Sequence, residues 1–220
     1  MLATGTVETP DGRRLPLHSN VPDLECRLLE AWARDRAPRR VLEVGFAYGA
    51  SALTLCTALT EAGTLASAEY RIVDPFQHTE WAGVGVHALH RAGFGDAYTL
   101  HEERSEHALP RLHAEGVRLD FAFLDGWHTF DHALVEFFYV NKMLDVGGVV
   151  VFDDVHLPSL QAVAAHVATY PAYRPLPPPP ALANAREARV RRLAGVVPFR
   201  LAAFEKVAPD DRSWDWHEPF

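Results

Sequence analysis

The stretch Val41-Leu42-Glu43-Val44-Gly45-Phe46-Ala47-Tyr48-Gly49-Ala50-Ser51-Ala52-Leu53 decides the fold. Residues 41–44 make a short apolar strand around one carboxylate, and residues 51–59 repeat apolar side chains at the period of a buried helix. Gly45 and Gly49 bracket the turn between them. Glycine takes positive φ at no steric cost and lets the main chain approach a ligand closely, so this strand–turn–helix is the kind of element that seats a cofactor.

The alternation continues on both sides. Leu24, Leu28, Leu29 and Trp32 predict a helix over 23–36. Downstream come a strand at 70–74 stopped by Pro75, a helix at 81–92, a strand at 97–101 and a helix at 106–115. Phe121-Ala122-Phe123-Leu124-Asp125 lacks alternation and reads as a strand buried on both faces. A helix over 130–144, a Gly147-Gly148 turn feeding a strand to Asp153, and a helix over 160–170 follow. The proline run at 175–180 cannot enter a sheet interior, so 171–195 is expected to be a proline-rich loop. Residues 196–207 are expected to give two last strands, with 1–20 an N-terminal arm and 208–220 a tail. Together these predict one α/β domain over 1–220, Rossmann-like and doubly wound, whose mostly parallel seven-stranded sheet carries helices on both faces.

Composition narrows the partner. The formal net charge is −8, and the short basic runs near Arg39 and Arg191 are poor material for gripping a phosphate backbone, so no nucleic acid is expected. No stretch approaches the ~20 apolar residues of a membrane span. Residues 1–10 show neither the basic nor the apolar region of a secretory signal, which predicts a cytoplasmic location. Cys26 and Cys56 lie in apolar helical patterns and read as buried thiols. A small-molecule partner is the expectation.

In a doubly wound sheet, ligands bind outside the carboxyl ends of the strands. Four strands carry acids there: Glu43, Asp74, Asp125, and the Asp153-Asp154 pair. Clustered carboxylates repel and do little for folding, so they point to a site. The dinucleotide fingerprint G-x-G-x-x-G fails at its second and third positions, which hold Ala47 and Ala50. Asp74 is suited to accept two ribose hydroxyls. Asp125, Asp153 and Asp154 would repel unless a cation sat among them, and hard oxygen ligands suit Mg²⁺, or else Mn²⁺ or Ca²⁺.

Glu43-x-Gly45-x-x-x-Gly49 resembles motif I of the class I methyltransferases. With Asp125-Gly-Trp-His128 and Asp153-Asp154 the set is similar to the metal-dependent small-molecule O-methyltransferases of the catechol and the macrolide or aminocoumarin sugar types, over roughly residues 40–157. The resemblance implies S-adenosylmethionine held by Glu43, Gly45, Tyr48, Gly49 and Ser51, with Asp74 on the ribose, Ser105 by the adenine and Asp125 beside them. It makes Asp125, Asp153 and Asp154 the ligands of Mg²⁺. His128 stands where the catechol type keeps a catalytic Lys, and Trp127 where the sugar type has a second Asp. His128 and His156 are therefore both candidate bases. Trp81 and Trp127 are candidate walls for a ring-shaped acceptor, as are His18-Ser19-Asn20 and residues 77–81 for the pocket lining. The Trp214-Asp215-Trp216-His217 tail either caps the site or docks on a second subunit, and a homodimer is the assembly the resemblance brings with it. Methylation of a small-molecule amine without metal, or a non-catalytic cofactor-binding subunit, stays open at this point.

Overall fold

In the computed structural model, which describes residues 4–194 and 197–220, the expected N-terminal arm is partly a hairpin: β1 (Thr6–Glu8) pairs antiparallel with β2 (Arg14–Pro16). Val7 is buried and packs with Leu15 and Leu17 against Tyr48, Trp81 and Val84. Three-residue strands carry too little alternation to be read locally. The hairpin stands on its contact with the rest of the fold.

Next come α1 (Asp23–Arg36), β3 (Arg40–Val44), α2 (Ala50–Glu61), β4 (Glu69–Val73), α3 (Val84–Arg91), β5 (Thr99–His101), α4 (Ser105–Ala114), β6 (Leu119–Leu124), α5 (Phe130–Met143), β7 (Leu144–Phe152) and α6 (Pro158–Ala168). Helix α3 starts three residues later than expected, because Ala82 and Gly83 both take positive φ, 51° and 68°. Gly147, at φ 90°, does not precede the last of these strands but interrupts it: Leu144 pairs with Leu119, and pairing resumes only at Val149.

The proline-rich segment departs from expectation. It contains β8 (Tyr173–Leu176), α7 (Pro180–Ala183) and α8 (Arg186–Leu193), followed by β9 (Ala202–Lys206). The sheet order is β5-β4-β3-β6-β7-β9-β8. Pro175 is tolerated because β8 is the edge strand, pairing among the described residues only with β9, so its missing N–H breaks no interior ladder. Of the two strands expected within 196–207, one forms, and Val196 lies outside the described residues.

The strands from β5 through β7 are parallel, and β9 and β8 run antiparallel beside them. This is the Rossmann-like, mostly parallel seven-stranded sheet. Alternate residues of β6 face opposite sides. Phe121 and Phe123 join α1 and α2, while Ala122 and Leu124 join α4, α5 and α6. Both faces are covered, which is why the strand reads as one apolar run. Chain direction along the sheet reverses between β3 and β6, and that switch point opens the crevice where ligands bind in such folds.

The tail lies on its own chain. Trp216 packs edge-on to Tyr170 at 5.3 Å, Arg212 stacks over Tyr170 at 3.3 Å, and Phe220 lies parallel to Phe130 at 6.3 Å. Neither tail indole lines the cavity described next. Among the described residues, no helix is long and apolar enough to cross a membrane.

Candidate active site

The parallel ladder runs on past the strand ends and sets the site residues side by side. Gly45 N–H donates to Val73 O at 2.9 Å, Asp74 N–H to His101 O at 3.1 Å, Asp125 N–H to Val44 O at 2.8 Å and Asp153 N–H to Leu124 O at 3.0 Å. Above these ends opens a cavity of about 820 Å³, lined by the glycine loop, Asp74, Ser105 and the acidic residues that follow β6 and β7.

One wall is the loop after β3. Gly45 has φ 90°, and a Cβ there would overlap the carbonyl oxygen of Asp125, so only glycine fits. The N–H groups of Phe46 and Ala47 both donate to Asp74 Oδ2 at 2.9 Å, and Phe76 N–H donates to Oδ1 at 2.7 Å. Ala47 is held at φ 44°, left-handed and costly for a residue with a Cβ by about 1 kcal/mol. Gln77 clamps the same turn, donating to Ala47 O at 2.9 Å and accepting from Gly85 N–H at 3.0 Å. Beneath the loop, Glu43 is fully buried and accepts from the Ser51 hydroxyl and the Tyr70 phenol. Burial raises its pKa to about 7, against the lowering effect of those two donors. Glu43 thereby ties the first turn of α2 to the strand before it.

The other wall is acidic. His128 Nε2 lies 3.4 Å from Asp125 Oδ1 and 3.6 Å from Asp154 Oδ2, and His156 Nδ1 lies 3.4 Å from Asp154 Oδ1. Asp153 Oδ1 accepts the N–H of Asp154 at 2.6 Å, and Asp154 sits at φ 51°. That left-handed turn aims two successive side chains at the cavity, which an extended strand would send to opposite faces. Burial, and then the charge of Asp154, holds the Asp125 carboxyl well above the usual range; burial, and then Asp125, does the same for Asp153. Among the described residues, Asp125, His128 and Asp154 each offer one ligand atom, all within 4.8 Å of one another.

The placement refines the sequence reading. Gly45, Asp74, Ser105 and Asp125 line the cavity, whereas Glu43, Gly49 and Ser51 stand behind its wall. Tyr48 also turns away, its hydroxyl 2.8 Å from His18 Nε2 and its ring 5.2 Å from Trp81. Asp153 lines the cavity but falls outside the three-atom group, whose third member is His128. His156 touches Asp154 from beyond the lining. Ser19, Asn20, Trp81 and Trp127 do reach it.

Among the lining residues that were not anticipated, two stand out. Glu136 of α5 is buried, accepts from Ser105 Oγ at 2.7 Å, and has its pKa raised by burial to about 7. A Cβ on Gly126 would overlap its carboxylate. Its signal was a lone acid inside the apolar run Leu134-Val135-Glu136-Phe137-Phe138. The second is Arg200, between the buried Phe199 and Leu201.

A glycine turn anchored by an acid at the end of the neighbouring strand, at the switch point of a mostly parallel seven-stranded sheet, is the setting of the ligand site in a Rossmann-like fold. The chain belongs to the methyltransferase domain family, which matches residues 42–155. Solved structures share the fold. The O-methyltransferase TomG from Streptomyces achromogenes, involved in tomaymycin synthesis and solved with S-adenosylmethionine, is 23% identical, with 71% of this chain and 73% of that one covered at a TM-score of 0.61. An O-methyltransferase from Bacillus cereus in complex with S-adenosylhomocysteine is 18% identical over 74% and 76% of the two chains, TM-score 0.62. The S-adenosylhomocysteine-bound methyltransferase PaMTH1 of Podospora anserina is 18% identical over 86% and 80%, TM-score 0.63. No curated protein matches the sequence.

Proposed function

We propose that the protein transfers the methyl group of S-adenosylmethionine to a hydroxyl of a small molecule such as a sugar, polyol or phenol, with a divalent cation held by Asp125, His128 and Asp154. The observation that carries this reading is that one cavity joins the glycine loop to that three-atom set. Its volume of about 820 Å³ lies in the range of small-molecule sites. Family membership and the donor-bound state of the solved relatives support the donor.

Two carboxylates and an imidazole suit Mn²⁺ or Mg²⁺, the imidazole favouring Mn²⁺. Such an ion supplies Lewis acidity that makes a hydroxyl easier to deprotonate. The chain's own residues set the geometry. Asp153 fixes the Asp154 main chain, and the Gly45 turn resting on Asp125 sets the donor loop against the acidic wall. His156, exposed beside Asp154, would relay the acceptor's proton from that carboxylate to solvent. The acceptor oxygen then attacks the methyl carbon in line as the carbon–sulfur bond breaks, its electrons staying on sulfur, and proximity supplies most of the acceleration.

Labelled S-adenosylmethionine offered with catechols and sugars, before and after chelation, tests this. Transfer is expected to fall by about 100-fold on chelation and return with Mn²⁺. Undiminished transfer in chelator removes the metal, and failure to bind S-adenosylhomocysteine removes the donor.

A further inference from the structure

Arg200 is held in place by contacts that do nothing for its side chain. Its neighbours Phe199 and Leu201 are buried among α1, α2 and the sheet, which turns the residue between them the other way, toward the cavity. Its N–H donates to Oε1 of the fully buried Glu25 at 3.1 Å, and its carbonyl accepts from Val155 N–H at 2.8 Å. Arg191 of α8 closes the clamp, donating to the same Glu25 oxygen at 2.6 Å and to Pro198 O at 3.4 Å. Burying a carboxylate and pairing it with an arginine is a costly way to fix a loop. What it fixes is one guanidinium at the rim of the acidic wall.

That guanidinium is underused. Its side chain is 42% exposed, and its one ion pair among the described residues is to Asp154 Oδ1 at 3.9 Å, too long for a hydrogen bond. Two arginines that hold a structural carboxylate, Arg36 and Arg174, come closer, to Glu205 at 3.0 and 2.8 Å. The other lining arginine, Arg104, lies beside Glu106 at 3.9 Å and faces the Phe76 ring. Five forked donors with no hydrogen-bonded acceptor, next to the set that is to hold the reacting hydroxyl, match a planar anion bidentately.

We infer that the acceptor is a hydroxy acid, whose carboxylate is bound by Arg200 while its hydroxyl is presented at Asp125, His128 and Asp154. This rests on the proposed function and names its substrate class. A neutral sugar or catechol would leave the guanidinium without a partner, whereas a carboxylate near the hydroxyl occupies both.

Calorimetric titration in saturating S-adenosylhomocysteine tests this with two matched pairs: 3,4-dihydroxybenzoate against 3,4-dihydroxybenzamide, and glucuronate against glucuronamide. The wild type is expected to bind the acid of at least one pair about tenfold or more tightly than its amide, as a charge-assisted bidentate pair should. Arg200→Ala collapses that ratio toward one, and Arg200→Lys keeps part of it. Arg200→Gln, which retains the stem, repeats the measurement should the alanine variant melt early. Equal affinity within both pairs, no binding of any of the four, or a ratio untouched by the substitutions overturns the assignment. The same cell reads S-adenosylhomocysteine: if it fails to bind, the methyl-donor reading falls, and if it binds without acid preference, only the hydroxy-acid assignment falls.

Discussion

Asp74 and Asp154 stand at the carboxyl edge of the same sheet and are treated oppositely. Asp74 accepts three main-chain N–H groups at 2.7–2.9 Å. Asp154 faces two imidazoles and a guanidinium at 3.4–3.9 Å, with no side-chain hydrogen bond among the described residues. Glu43 repeats the first pattern, bonded by Ser51 and Tyr70, whereas Asp125 sets the His128 imidazole at 3.4 Å against the like charges around it. A carboxylate bonded within the protein shapes its loop before any ligand arrives. A carboxylate left among its own kind favours whatever brings positive charge. The donor wall is thus finished by folding, and the acidic wall is finished by what binds to it.

The largest expected effect separates the walls. Asp154→Ala should lower methyl transfer by about a thousandfold while S-adenosylhomocysteine affinity stays within about threefold, read by turnover and calorimetry. A parallel loss in both would show that the walls do not act independently. Asp74→Ala is the converse. It strips the acceptors of Phe46, Ala47 and Phe76 N–H, so S-adenosylhomocysteine binding should weaken by about 10- to 100-fold, or 1–3 kcal/mol, whatever acceptor is offered. An unchanged affinity would mean that the loop holds its shape on Gly45 and Gln77 alone.

The smallest effect concerns Glu136, which joins the walls through Ser105. Its folded pKa of about 7 lies above the unfolded value, so the native state binds the extra proton between roughly pH 4.5 and 7. Its contribution to stability is therefore complete below the unfolded pKa and is lost as pH rises through the folded one. Glu136→Gln should flatten the fall in melting temperature across that window, while the altered bond to Ser105 moves stability by about 1 kcal/mol equally at every pH. Identical pH profiles for the two proteins would show that Glu136 does not titrate there.

The sequence exposed the strands from 41 to 153 because both faces of the sheet are covered, leaving apolar runs that flank the glycine turns. It hid β1, β2 and β8, whose three or four residues carry too little alternation to be read locally, and β8 also pairs with a strand well downstream. The proline rule remained true of the sheet interior, but β8 is an edge. In the site, Asp125, Asp153, Asp154 and His128 were legible because strand ends fall at predictable places. Glu136 and Arg200 were not, since the register of α5 against the sheet and the path of the segment before β9 are set only by the fold. Tyr48 was assigned to the donor by position in the loop, yet the turn rotates it onto His18 and Trp81.

The contact between Gly45 and the Asp125 carbonyl limits how this enzyme can be re-engineered. Asp125 supports the glycine loop with its main chain and faces the proposed acceptor site with its side chain, so the boundary between the two proposed sites passes through a single residue. Exchanging the segment after β6 for that of another methyltransferase, to change the acceptor, also replaces the surface on which the donor loop rests. A transplant that shifts residue 125 by the width of a methyl group would lose the donor before it gained a new acceptor. Altering Arg200 and the residues around it, which lie off that boundary, leaves the donor loop on its support.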